Sequence, residues 1–314
     1  MIDDPLTWLF RQMVRVRNAR YDRGQTEIRR LRLPVISVGN LSVGGSGKTP
    51  FVQTLGRWLS TQGIPFDILS RGYGRESSDV LMVEGSTGTA AMYGDEPLLL
   101  ARSLGVPVFV GADRYAAGLA AEDFASKSTY SARLHILDDG FQHRRLHRDF
   151  DIVLMTHGDL RGRLLPFGRM REPLSSLDRA QAVVAPADLD SLLAAPNVWH
   201  IKRRLVLPAP APTRPLAFCG LAKPKQFWES LADIGIYPVG TFAFGDHHKY
   251  KAGDIMLLQR LAKLHGANGF LTTEKDMVKL DAAKLAPIVA PELRIELENA
   301  NARFGGMLEA VGVR

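Results

Sequence analysis

The chain of 314 residues has one cysteine, Cys219, which excludes an intramolecular disulfide or a cysteine-built zinc cluster and fits a reducing compartment. No apolar run is long enough to cross a bilayer, and no signal-peptide core is present. Internal repeats are absent, and the only biased tract is a short Pro/Ala stretch. Neither an aromatic platform nor a recognition-helix pattern accompanies the net charge of +7, which argues against nucleic acid as the partner. A membrane surface or a phosphorylated substrate satisfies that charge better. What remains is 46% hydrophobic and 23% charged, the composition of a soluble globular protein with one large core or two smaller ones.

The clearest signal is "VISVGNLSVGGSGKTPF", residues 35–51. A β-branched run, Pro34–Val38, reads as a buried strand, and Phe51–Ser60 carries Phe51, Leu55, Trp58 and Leu59 at helical spacing. Pro50 falls in the first helical turn, where its missing N–H costs nothing. Between them, Ser42, Val43, Gly44, Gly45, Ser46, Gly47, Lys48 and Thr49 form a nucleotide-phosphate loop whose usual first glycine is Ser42. Its glycines let successive N–H groups point at phosphate oxygens, at the positive end of the next helix. Lys48 is placed for the β- and γ-phosphates of a nucleoside triphosphate and Thr49 for Mg²⁺. A flexible Gly/Ser linker is the bland alternative, but it has no reason to put GKT at a strand–helix junction.

Strand and helix signals then alternate: strands at Phe66–Leu69, Val80–Val83, Val106–Val110, Leu134–Leu137, Ile152–Met155 and Ala182–Ala185, helices at Glu96–Ser103 and Tyr115–Phe124. This rhythm predicts an α/β fold, a mostly parallel P-loop NTPase-type sheet with helices on both faces. The expected division is a basic amphipathic helix region over 1–32, a P-loop domain over 33–206, a Pro/Ala hinge or linker over 207–215, and a smaller α/β domain over 216–314. The last contains strands at Leu216–Cys219 and Gly269–Leu271 and helices at Lys225–Ile234 and Asp254–His265. In the first region Leu6, Leu9, Phe10, Met13 and Val14 fall on one helical face with Arg11 and Arg15 opposite. Such a helix either lies in a membrane surface or packs on its own domain with a solvated basic side.

"LHILDDGFQH" ends an apolar strand with Asp138 and Asp139, where a carboxylate meets the metal held by the P-loop Thr. An Asp-Asp-Gly turn is common in its own right, but here it follows a P-loop in the same sheet. "YGDEP" puts Asp95 and Glu96 at a helix start, where acids also serve as caps. "FGDHHKY" offers His247 and His248 with Asp246, better suited to a proton-transfer pair than to a metal site. "TTEKD", residues 272–276, reads as a nucleotide contact or a helix cap. "SRGYGR" and "RMREP" supply arginines for phosphate, or are surface loops.

In this order the segments GNLSVGGSGKTP, SRGYGR, GDEP, LDDGFQH, LLPFGRMREP, FGDHHKY and TTEKD resemble the tetraacyldisaccharide 4'-kinases, the lipid A 4'-kinases of Gram-negative bacteria, over almost the whole chain. The resemblance implies a kinase on the cytoplasmic face of the inner membrane. It implies transfer of the γ-phosphoryl group of ATP, with Mg²⁺, to the 4'-hydroxyl of a tetraacylated glucosamine disaccharide 1-phosphate, forming lipid IV-A. Carried over by position, Asp95 is the catalytic base and His247 its orienting partner, with His248 an open alternative. Asp138 and Asp139 become metal-side carboxylates, Asp139 also near the reacting hydroxyl, and Tyr73, Arg171 and Glu172 become substrate-side residues. The acceptor's acyl chains stay in the bilayer, which favours the membrane reading of the first helix. No segment points to a protein partner. A nucleotide-dependent switch or metal chaperone, or a soluble small-molecule kinase, are the competing readings of the same P-loop.

Overall fold

The computed structural model describes residues 4–193 and 197–313. After helix α1 (Pro5–Asp22) come β1 (Val35–Asn40), α2 (Lys48–Thr61), β2 (Phe66–Ser70), β3 (Leu81–Met82), α3 (Ala90–Tyr93) and α4 (Asp95–Leu104). Next are β4 (Val108–Val110), α5 (Arg114–Lys127), β5 (Leu134–Asp138), β6 (Phe150–Leu154), α6 (His157–Leu160), β7 (Ala182–Ala185) and β8 (Val198–Val206). The remainder comprises β9 (Pro215–Cys219), α7 (Pro224–Asp233), β10 (Gly240–Ala243), α8 (Ala252–Leu264) and β11 (Gly269–Leu271). It closes with α9 (Glu274–Met277), β12 (Ile288–Val289), β13 (Glu292–Leu297) and α10 (Ala300–Ala310).

Nine strands form one sheet in the order β13-β8-β7-β6-β1-β5-β2-β4-β3, and four form a second in the order β10-β9-β11-β12. Pairing is parallel except at the two edges of the large sheet, β3 on β4 and β13 on β8. Alternation along the strands decides which face each residue serves. Ile36, Val38, Ile68, Ile136 and Ile152 join a core that includes Phe51, Leu55 and Leu59 of α2. Val35, Leu69 and Leu137 face Ala117 and Ala121 of α5 on the other side, so helices cover both faces. The chain runs from β1 outward to β2 and later to β6 on its opposite flank, which opens a crevice at the carboxyl ends of β1 and β5. Val38 is in register with Asp138 there.

Three expectations change. The smaller unit does not run from 216 to 314, because β13 returns to the large sheet and Phe304 of α10 packs against Phe51 and Trp199. The chain therefore passes between the sheets twice, once through the Pro/Ala stretch and once just before Glu292. The strand expected over Val80–Val83 shrinks to a two-residue antiparallel edge. Helix α1 does not bury the face that its composition marks: Thr7, Val14 and Tyr21, seven residues apart, are the buried ones. Leu6, Leu9 and Met13 stay in solvent with Trp8 and Val16, so its apolar residues are split between core and surface.

Candidate active site

Strand β1 ends at Asn40, and the loop to α2 turns through Gly44 and Gly47, at φ of +93° and +91°, a left-handed backbone natural to glycine. The loop is braced from outside. Val43 N–H donates to the Arg169 carbonyl (2.8 Å), the Arg169 guanidinium returns a bond to the Val43 carbonyl (2.6 Å), and Arg203 of β8 donates to the Ser46 carbonyl (2.7 Å). Ser42 is buried and bridges to Met170, so this position is occupied by a strand-like contact. Lys48 opens α2 with its ammonium 3.1 Å from Asn40 Oδ1 and 3.5 Å from Asp139 Oδ1.

Asp139 follows β5 in a left-handed conformation, φ +50°. Arg171 grips it with two hydrogen bonds of 3.0 and 2.8 Å and also reaches Asn40. Burial opposes its ionisation, yet the Lys48 charge and Arg171 hold its carboxyl far below the usual range. Asp138 behaves oppositely: burial, then the charges of Glu96 and Asp139, push it up to about 7. Its Oδ2 accepts from Ser70 (3.1 Å), while its buried Oδ1 has no partner. A buried carboxylate oxygen without a hydrogen-bond partner fits a divalent cation, and Mg²⁺ needs only one or two carboxylates besides substrate phosphates. Thr49 and Asp138 are the residues that would hold it; Asp139, the other carboxylate expected there, has both oxygens on Arg171 and faces Lys48 instead.

A second group of charges arrives from the smaller sheet. Asp95 is the first residue of α4, and its Oδ2 lies 2.8 Å from His247 Nδ1, which sits at φ +53° in the loop after β10. Burial raises the Asp95 carboxyl, but the hydrogen bond and charge of His247, with Lys275 further off, bring it below its ordinary value. That same hydrogen bond raises His247 against its burial. Tyr73 packs its exposed ring 5.5 Å from His247. Lys275 of α9 pairs with Glu96, the neighbour of Asp95.

His248 turns elsewhere, to Asp254 (3.0 Å) and to a stack on Phe244 (4.5 Å between centroids). Among the described residues no group of three or more His, Cys, Asp or Glu side chains could hold a metal.

The family model for tetraacyldisaccharide-1-P 4'-kinases matches residues 2–311. A curated tetraacyldisaccharide 4'-kinase from Koribacter versatilis is 45% identical, over 98% of each chain. One from Geobacter sulfurreducens is 38% identical over 91% of this chain and 86% of its own. The chain belongs to this family. A crystal structure of the Aquifex aeolicus LpxK in complex with ATP superposes with a TM-score of 0.79 at 34% identity, covering 98% of both chains.

Within this kinase frame, Lys48, Asp139 and Arg171 form one cluster, and Asp95, His247 and Tyr73 another. Glu172 departs from its expected place on the substrate side. It is fully buried, accepting from Asn18 of α1 (2.9 Å) and Arg179 (2.7 Å), which leaves it no surface for a ligand. Sequence reasoning missed Asn40, Ser70, Arg203 and the role of Lys275. Ser70 and Lys275 lay in segments already marked, whereas Arg203 sits in a strand whose pattern carries no sign of a P-loop contact.

Proposed function

We propose that this chain phosphorylates the 4'-hydroxyl of a tetraacylated disaccharide 1-phosphate with Asp95 as proton acceptor and His247 as the residue that keeps Asp95 ionised and aimed. The observation that carries this is the 2.8 Å bond between Asp95 and His247, which joins α4 to the loop after β10 at the crevice holding Lys48. In the transfer, the acceptor oxygen bonds to the γ-phosphorus as the bridge to ADP breaks. The hydroxyl proton passes to an Asp95 oxygen. Lys48 and the loop N–H groups stabilise charge on the transferring group. Mg²⁺, held by Thr49 and Asp138, would supply further positive charge against the phosphates. Asp139, gripped by Lys48 and Arg171, is a poor proton acceptor and serves to orient the lysine. Tyr73 supplies an exposed ring for the sugar beside His247.

Peripheral attachment to the cytoplasmic face of the inner membrane belongs to the same proposal. No helix among the described residues is long and apolar enough to cross a membrane. Exposed Leu6, Leu9, Met13 and Val16 on α1, near Arg15 and Arg20, suit the acyl boundary and headgroups of an anionic leaflet.

The deciding experiment measures ³²P transfer from ATP to the disaccharide 1-phosphate in mixed micelles. Asp95→Ala is expected to slow turnover at least ~10²-fold with ATP affinity kept, as for loss of a general base. An equal loss of ATP affinity would make Asp95 a nucleotide ligand instead. A switch protein would hydrolyse ATP at the same slow rate whether or not the acceptor is added.

A further inference from the structure

Residues 163–170 form a hairpin-like loop, closed by a parallel bridge between Leu164 and Met170, whose base is anchored and whose tip is not. Leu165 N–H donates to the Met170 carbonyl (3.0 Å), Met170 N–H to Arg163 (2.9 Å), and Gly168 N–H to Leu164 (3.0 Å). Leu164 and Met170 are buried in a core cluster with Leu41 and Phe141. Beyond them Pro166 and Phe167 protrude, Phe167 with 61% of its surface in solvent. An aromatic that exposed, on a stem this well fixed, has been placed outside the core.

The chain through this segment is basic. From residue 161 to 171 the chain has four arginines and no acid, and Arg161 and Arg163 are exposed. The hairpin also lies at the amino end of α1. Arg163 reaches the N-cap Asp4 (3.4 Å), and Phe10 of α1 packs on the cluster that holds Leu164 and Met170. The base of the segment thereby packs beside the amino end of α1, the end that carries exposed Leu6 and Leu9.

We propose that this hairpin tip is a second membrane contact, with Phe167 in the acyl boundary and Arg161 and Arg163 at the phosphates of an anionic leaflet. The inference rests on the membrane reading of α1 and adds a separate element to it. Charge complementarity selects the occupant: a lone exposed aromatic on a basic segment matches an anionic bilayer, whereas a protein partner calls for a broader apolar patch. The position has a consequence for the site. Val43 of the P-loop is hydrogen-bonded to Arg169 in this hairpin, and Arg171, two residues on, holds Asp139. The segment that would sit on the leaflet is thus the one that braces the nucleotide loop.

The test uses the full chain and vesicles of phosphatidylethanolamine with or without phosphatidylglycerol. Phe167→Ser is expected to weaken partitioning to the anionic vesicles about tenfold, by loss of one buried aromatic, with Phe167→Leu intermediate. A parallel variant, Leu9→Ser with Met13→Ser, reports on α1. Cys219 is fully buried, so Phe167→Cys accepts a polarity-sensitive fluorophore at a single site. That probe is expected to shift to the blue on anionic vesicles and to be quenched by nitroxide-labelled acyl chains. Unchanged partitioning of Phe167→Ser and an unquenched probe, with the α1 variant impaired, would overturn the hairpin contact and leave α1 standing. Unchanged binding in every variant would overturn both. A blue shift without vesicles, accompanied by dimer formation, would reassign the tip to a contact between copies.

Discussion

At the scale of single residues the site works through opposed ionisation. Lys48 and Arg171 hold Asp139 charged, while burial beside Glu96 and Asp139 lifts Asp138. Replacing Lys48 with Ala removes the cation nearest the phosphate path and is expected to lower transfer by at least ~10²-fold with native circular dichroism. His247 offers a finer test. It raises no barrier of its own but depresses Asp95, whose burial works the other way. In His247→Ala the burial is opposed only by the weaker pull of Lys275 and Lys279, so the acid limb of kcat/KM is expected to move to higher pH. An unmoved limb would show that the pair does not set the ionisation of Asp95. The pair's contribution to stability follows the same signs. Asp95 contributes above its ordinary value of 3.8, and His247 contributes fully below its ordinary 6.5, losing its share as pH rises through its raised folded value.

Elements hold these residues through contacts far from the chemistry. His135 in β5 is fully buried with its Nδ1 2.6 Å from Asp67 of β2 and its Nε2 3.7 Å from Glu122 of α5. Burial opposes its charge, but both carboxylates raise it to about 9. His135→Ala strands the buried Asp67 carboxylate, while Glu122 keeps Arg32 and the Leu33 N–H, and is expected to cost ~3–5 kcal/mol in denaturant unfolding at neutral pH. The sign is that of a raised histidine: its stabilisation is full below 6.5 and is lost as pH climbs through about 9, so wild type and variant converge in alkali. Helix α10 is a second case. Phe304 is fully buried, 5.2 Å from the ring of Trp58 and 5.9 Å from that of Trp199. Phe304→Ala is expected to cost ~3–5 kcal/mol and to loosen β13 from the large sheet, visible as faster amide exchange over residues 292–297.

For the whole molecule, two ties cross between the sheets at the crevice, Asp95 with His247 and Glu96 with Lys275. Attachment to a membrane is the other property at this scale. Arg15→Gln with Arg20→Gln is expected to weaken binding to anionic vesicles, most at low salt, where screening is least. Basal ATP hydrolysis should hold, because neither Arg15 nor Arg20 belongs to the cluster of Lys48, Asp139 and Arg171. Equal binding by variant and wild type at every salt concentration would leave α1 as a helix packed on its own domain.

The P-loop, the alternating strands and the paired aspartates at the end of β5 were legible in the sequence because each is a local pattern. A glycine-rich turn between strand and helix, or an apolar run ending in acids, has its meaning within a dozen residues. So did the family, through the order of seven such segments. What the tertiary structure decided was long-range pairing, for which a linear pattern has no period. It chose His247 over His248 for Asp95, more than a hundred residues away, and put Arg171 on Asp139. It turned Glu172 inward to Asn18 and Arg179. It also sent β13 back to β8, since an alternating strand satisfies the edge of either sheet equally well until α10 finds its place on Phe51 and Trp199. Helix α1 shows the same division: composition marked its apolar residues, but only packing determined that Val14 goes in while Leu6, Leu9 and Met13 stay out.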